Sequence, residues 1–224
     1  MMQKGRSKRI LNYFFLLILL ASINNTNINN FVGYDKIKSI KINGLSDYEN
    51  LNLLNKIENL NLENIFFLNG NEINRVVKDN TLVENFKIFK NYPSTLYIEL
   101  EKTKFLAKIK KNGQIFIVGS NGKLINNNFS KKDLPFIFGN PNIREFLEFK
   151  YIIDSSNILY DKIEKIYFFK SKRWDIELDN NTVIKLPEKN IKEALNQANK
   201  FLNNSLIKTK SIDVRVKNQI IING

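Results

Sequence analysis

Histidine and cysteine are absent from all 224 positions of the chain. Imidazole and thiolate metal sites, cysteine nucleophiles and histidine-based triads are excluded with them, and no cofactor or metal is expected. A chain without cysteine tolerates an oxidising compartment but does not require one. Proline is scarce, at 4 residues, and glycine little less so, at 9, so each Pro and each Asn-Gly pair punctuates the chain where it occurs. Acidic residues are outnumbered 22 to 35, which leaves a net charge of +13. Such a surplus suits nucleic acid or an anionic membrane. Here, however, Lys, Ile and Asn recur from end to end, the mark of a biased composition rather than of one basic patch. A chain of this length holds one or two small domains.

Four of the positive charges, Lys4, Arg6, Lys8 and Arg9, stand within the first nine residues, and ILNYFFLLILLASI, Ile10 to Ile23, follows them. Fourteen helical residues span about 21 Å, short of the roughly 30 Å hydrocarbon core. Two readings fit. A cleaved signal peptide has this basic start and this apolar length, but Ala21 and Ser22 are adjacent rather than alternate, which makes a poor cleavage site. An uncleaved anchor would borrow from the polar residues beyond or thin the bilayer. Both leave residues 1–9 in the cytoplasm and everything after the run outside it. That address argues against nucleic acid as a partner.

Beyond the linker, KIKSIKING (36–44) alternates through Ile37, Ile40 and Ile42 and stops at Asn43-Gly44, as a strand ending in a turn does. Ser46 and Glu49 have capping-box spacing. They predict a helix with Leu51, Leu54 and Ile57 on its apolar stripe. A second helix with Ile73, Val76 and Val77 on one side follows Asn69-Gly70. TLVENFKIFK (81–90) reads as a strand, Tyr92-Pro93-Ser94 as a turn. Leu96, Ile98 and Leu100 then mark the buried face of another strand. The order strand, helix, helix, strand, strand, with the Pro-Ser-Thr-Leu turn, resembles the polypeptide-transport-associated (POTRA) domain, a small docking module.

In the second half, KKNGQIFIVGSNGKLI (110–125) carries two Asn-Gly hairpin signals. LPFIFG (134–139) and RWDIELDNNTVIKLPEKN (173–190) follow. A helix comes next, with Ile191, Ala194, Leu195, Ala198, Phe201 and Leu202 on one stripe, and SIDVRVKNQIIIN ends the chain. The basic tail, the apolar run, the POTRA pattern, "LP-apolar-apolar-G", "RWD-x-x-L…LP" and "IDVR" together resemble the FtsQ/DivIB family of bacterial cell division proteins. The resemblance implies an α+β fold. It consists of a cytoplasmic tail (1–9), a single transmembrane helix (10–28), a linker (29–35), a POTRA domain (36–104, β-α-α-β-β) and a mainly antiparallel C-terminal β domain with packed helices (105–224). It also implies a non-enzymatic scaffold in the inner membrane at the septum, its bulk in the periplasm. The implied partners are FtsB- and FtsL-like bitopic proteins, and FtsK at the POTRA surface. Val216 departs from the larger, often aromatic residue of better-known relatives.

Three motifs invite chemistry. Ser205-Leu206-Ile207-Lys208 fits S-x-x-K, the acylating pair of penicillin-binding enzymes, but the companion motifs are missing. A Ser/Lys cell-wall hydrolase is thus the enzymatic alternative. Gly119-Ser120-Asn121-Gly122-Lys123 has the wrong spacing for a phosphate loop and reads as a turn. Asp175, Glu177 and Asp179 alternate along a strand, as a solvated face does, and Trp174 reads as core. A POTRA-bearing secretion accessory remains the other docking alternative. No catalytic residue and no small-molecule substrate are expected. The final segment offers a partner site instead. A terminal strand has nothing after it to cover its outer edge, and open edges accept an added strand. Arg215 is expected as an ionic contact beside Val216, Gln219, Ile220, Ile221 and Ile222 as the docking edge, with Lys172 and Arg173 nearby.

Overall fold

A computed structural model describes residues 4–23, 36–60, 62, 64–66, 68–126, 134–204 and 209–223. Helix α1, Lys4–Ile23, carries the apolar run, and each large apolar side chain from Ile10 to Leu20 is between 51% and 71% exposed. The basic start takes up the first turns, and no helix among the described residues is long and apolar enough to cross a membrane.

The next unit is a three-stranded sheet under two helices. It comprises β1 (Ser39–Asn43), α2 (Asp47–Glu58), α3 (Asn71–Asp79), β2 (Val83–Asn91) and β3 (Thr95–Lys102). Strand β3 lies in the middle, parallel to β1 and antiparallel to β2. The capping box that predicts α2 is formed: Ser46 Oγ accepts from the Glu49 N–H (3.4 Å), and Glu49 Oε2 accepts from the Ser46 N–H (3.0 Å). Glu49 is also paired with Lys102 at 3.1 Å. Leu96, Ile98 and Leu100 are buried against Leu53, Ile57, Ile73 and Val77, so the alternation along β3 faces the helices as expected. The stripe on α2 does so only in part: Ile57 is buried as expected, but its buried partner is Leu53, while Leu51 is 57% exposed. Glu49, paired with Lys102 of β3, lies on the same face as Leu53 and Ile57. Gly44 ends β1 at φ +117°, where a Cβ would stand 1.8 Å from the Leu100 carbonyl oxygen. Only glycine fits that turn.

The second unit is a nine-stranded sheet. Its strands are β4 (Phe105–Lys111), β5 (Gln114–Gly119), β6 (Leu124–Asn126), β7 (Phe136–Phe138), β8 (Ile163–Phe168), β9 (Trp174–Leu178), β10 (Val183–Lys185), β11 (Ser211–Asp213) and β12 (Ile221–Asn223). They lie in the order β12-β11-β10-β9-β8-β7-β4-β5-β6. Strands β4 and β5 are joined by a tight turn in which Asn112-Gly113 adopts positive φ at both positions, as a type I′ hairpin requires. Three neighbouring pairs are parallel: β4–β7, β7–β8 and β10–β11. Two of these are joined through helices, α4 (Ile143–Asp154) and α5 (Ile191–Asn204), as parallel neighbours need a crossover. Helix α4 and strand β8 add to the elements expected from the sequence, and Asn142 and Glu145 close a second capping box at the start of α4. Ala194, Leu195 and Ala198 of α5 and Phe146, Phe149 and Ile153 of α4 bury against Ile109, Ile137, Ile166, Ile176, Ile184 and Ile212. Trp174 stacks on Phe149 at 4.5 Å.

A turn of the second unit grips the first. Ser120 Oγ and Thr103 Oγ1 both donate to Glu84 Oε2, at 2.6 and 2.8 Å. Asn121 Nδ2 donates to the Thr81 and Val83 carbonyls, both at 2.9 Å, and Lys123 Nζ donates to the Lys78 and Asn80 carbonyls at the end of α3. The segment that superficially resembles a phosphate loop is thus a hairpin turn fastened to the neighbouring unit.

Candidate partner-docking edge

Strand β12 closes one side of the nine-stranded sheet. It pairs antiparallel with β11, Ile222 opposite Ile212 and Ile221 opposite Asp213. Its other side meets no strand among the described residues. Because side chains alternate, Ile222 shares the core face with Ile212 and Ile221 lies on the far face. Ile220, Ile221 and Ile222 are 38%, 56% and 43% exposed. An open apolar edge of this kind is what an incoming strand pairs with, and it is an aggregation hazard when left bare.

The alternation read from Ser211 to Val216 is cut short. Ile212 and Val214 are buried, but Val216 is 49% exposed, and regular pairing ends at Asp213. The cause is local. Arg215 Nε donates to Asp213 Oδ1 and Oδ2 at 2.8 and 2.9 Å, and the Arg215 N–H also donates to Oδ1 at 3.1 Å. This bond holds the Asp213 carboxyl below the usual aspartate range despite partial burial, and it raises the Arg215 guanidinium in turn. Asn218 at φ +61° and a Gln219 N–H bond to the Val216 carbonyl (3.1 Å) then turn the chain back. Arg215, Val216 and Gln219 therefore line the approach to β12, with the guanidinium already engaged by its own chain.

Lys172 and Arg173 occupy the β8–β9 turn, with β10 and β11 between β9 and the β12 edge. Lys172, at φ +59°, reaches Glu145 at 3.8 Å. Arg173 pairs with Asp175 at 3.3 Å and stacks over the Phe169 ring at 4.3 Å.

The solvated face expected of Asp175 and Glu177 is not found: both are buried. Asp175 Oδ1 accepts from the Leu186 N–H at 3.1 Å as well as from Arg173. Glu177 accepts from Lys165 Nζ and Tyr167 Oη, each at 2.6 Å. Side chains on the adjacent strand cover the carboxylate, which no local alternation reveals. Asp179 behaves as expected, half-exposed against Lys162. Burial alone would raise the Glu177 carboxyl, but the bonds from Lys165 and Tyr167 outweigh it and hold it below the usual glutamate range. Burial and the same carboxylate push the Tyr167 phenol up to about 12.

The sign follows directly. A carboxylate whose folded pKa is depressed contributes stability above its unfolded value, lost as pH falls through that value and below. Thermal unfolding of the purified protein is expected at falling temperatures from pH 5 to pH 3. Glu177→Gln should melt lower than wild type at pH 6 yet decline less steeply with acid. Parallel pH profiles would show that this carboxylate does not carry the effect.

Ser205 and Lys208, the S-x-x-K pair, lie outside the described residues. Among those that are described, no cluster of three or more acidic side chains is arranged to hold a metal ion.

Two family models match the chain. The FtsQ-type POTRA domain matches residues 35–102, and the C-terminal domain of cell division protein FtsQ/DivIB matches residues 107–215. The chain is 27% identical over 205 residues to the cell division protein FtsQ of Rickettsia bellii, and 29% over 197 residues to that of Rickettsia felis. Each comparison covers 84% of this chain and 72% of the relative. The extracytoplasmic domain of the cell division protein DivIB from Geobacillus stearothermophilus aligns at 12% identity with a TM-score of 0.34 over 48% of this chain and 99% of that one, too slight a likeness to argue from. The two matched stretches follow one another across the two sheets just described, and the chain belongs to the FtsQ/DivIB family of cell division proteins.

Proposed function

We propose that this protein is a non-enzymatic, single-pass scaffold of the division machinery. Residues 1–9 lie in the cytoplasm, the apolar segment 10–28 in the inner membrane, and the POTRA domain (36–104) and β domain (105–224) in the periplasm at the septum. The observation that carries the reading is the open β12 edge, with exposed Ile220, Ile221 and Ile222. An FtsB-like bitopic protein adds a strand there, with main-chain hydrogen bonds supplying affinity and alternate side chains specificity. Val216 and Gln219 frame the approach. Because Arg215 is held by Asp213, an acidic partner group joins an existing ion pair rather than meeting a bare charge. FtsL accompanies FtsB, and FtsK is assigned to the POTRA surface. The membrane placement is supported by the exposed apolar side chains of α1 and by the one-sided basic flank.

Photo-cross-linking from position 221 in growing cells tests the partner. It should capture a small bitopic division protein, and capture of nothing, or only of copies of the same chain, would count against the reading. Topology is checked separately. A phosphatase fused after Gly224 should be active outside the cytoplasm, and the protein should retain its first residues. A mature N-terminus near Ser22 to Asn25 would replace the anchor by a signal peptide.

A further inference from the structure

The POTRA unit has two ends. At one, Thr81, Val83, Glu84 and Thr103 are fastened to the β5–β6 turn, so the β domain occupies it. At the other, the chain arrives from α1. The Lys38 and Ser39 N–H groups donate to the Ser94 carbonyl at 2.9 and 3.4 Å, which sets the entry to β1 beside the Tyr92-Pro93 turn. The segment after α2 folds onto the same end. Lys36 bridges to Asn64, the Phe66 ring lies 4.8 Å from Tyr92, and Lys90 Nζ donates to the Leu68 carbonyl at 3.4 Å.

This entry end is unusually aromatic for an exposed surface. Phe66, Tyr92 and Phe89 are 50%, 56% and 47% exposed. Phe89 sits opposite Tyr97, and Lys41 lies over the Tyr97 ring at 5.3 Å. Lys36, Lys41 and Lys90 are exposed at this end, Glu58 lines the same hollow as Lys36, and the exposed Glu99 stands two residues beyond Tyr97 on the same face of β3. Rings with lysines at their rim are the composition of a membrane–water interface, where aromatics settle at headgroup level and lysine stems extend to phosphates.

The chain itself brings a membrane to this patch. Only twelve residues separate Ile23, the end of α1, from Lys36, a reach of no more than about 40 Å. We propose that the entry end of the POTRA domain docks on anionic lipid headgroups, with Phe66, Phe89 and Tyr92 at the interface and Lys36, Lys41 and Lys90 on lipid phosphates. The proposal rests on the reading of α1 as an anchor. Docking of this kind fixes the orientation of the periplasmic domains above the bilayer, rather than leaving the domains free on a tether.

The chain lacks cysteine, so Tyr92→Cys in the full-length protein carries a single environment-sensitive fluorophore, with Lys170→Cys as the control in the β domain. Both proteins are reconstituted into vesicles of phosphatidylglycerol or of phosphatidylcholine containing a headgroup nitroxide, and recovered by flotation. In phosphatidylglycerol the probe at position 92 should be quenched at least threefold more than the probe at 170 and shift to the blue. The difference should vanish in phosphatidylcholine, in high salt, and in a folded Lys36→Glu/Lys41→Glu/Lys90→Glu variant. A floated protein whose position 92 stays in water overturns the docking alone. Equal quenching in both lipids overturns docking on anionic headgroups. A probe that responds only when another division protein is added assigns the patch to that protein and overturns the lipid proposal. Failure to float overturns the anchor reading, and the docking with it.

Discussion

Ile98→Asp is expected to unfold the POTRA domain. Ile98 lies at the centre of the three-stranded sheet, opposite Ile42 on β1 and Ile88 on β2, and is 1% exposed. A carboxylate there has no cation within the cluster of Leu53, Ile57, Ile73 and Val77 that surrounds it. It must stay charged in an apolar core or take up a proton, and either course is costly. Losses above about 4 kcal/mol are characteristic of such buried, unpaired charges, comparable with the whole stability of a small domain, roughly 5–15 kcal/mol. Glu99→Ala, on the exposed outer face one residue along, should cost no more than about 0.5 kcal/mol. Urea denaturation followed by circular dichroism separates the two. Equal losses at both positions would contradict the packing of β3 against α2 and α3.

The POTRA unit was legible because its signals are local. Ser46 and Glu49 close their box within one turn, and Leu96, Ile98 and Leu100 bury as a period of two dictates. At Asp175 and Glu177 the deciding contacts come from elsewhere in the chain. Asp175 and Glu177 alternate as solvent-facing residues do, yet cross-strand Tyr167 and Lys165 close over Glu177, and the distant Leu186 N–H reaches Asp175. The phase of α2 is set by which face meets the sheet, which favoured Leu53 over Leu51. Helix α4 bears the same kind of signature as α2, with Asn142 in place of serine. Its recognition would have supplied the crossover that makes β7 and β8 parallel. At the end of the chain the alternation through Val216 counted a residue that the Asp213–Arg215 bond had already taken out of the strand.

Proline in β12 is the second large expected effect. Successive residues of a strand turn their N–H groups to opposite sides, so of Ile221→Pro and Ile222→Pro one removes a donor aimed at the open edge and the other a donor aimed at β11. The outward one leaves β11–β12 pairing intact, blocks strand addition both by the missing N–H and by the ring, and should weaken capture of the FtsB-like partner at least tenfold. The inward one should lower the melting temperature as well. Retention of full capture by both variants, in protein that melts as wild type does, would rule out docking by added strand. Gly119 offers a contrast. A Cβ there would meet Asn121 Oδ1 at 2.6 Å and Thr103 Oγ1 at 2.9 Å, so Gly119→Ala should disturb the grip between the two units while leaving β12 untouched.

A partner's backbone is expected to complete the sheet at β12, and amide hydrogen exchange reads that event at the atoms concerned. In the free protein, outward-facing amides between Ile220 and Asn223 should exchange within seconds, because no strand among the described residues covers that edge. With the FtsB-like partner bound, the same amides should slow by a hundredfold or more, in an alternate pattern along the strand. Unchanged exchange across β12 in a saturated complex would contradict the account.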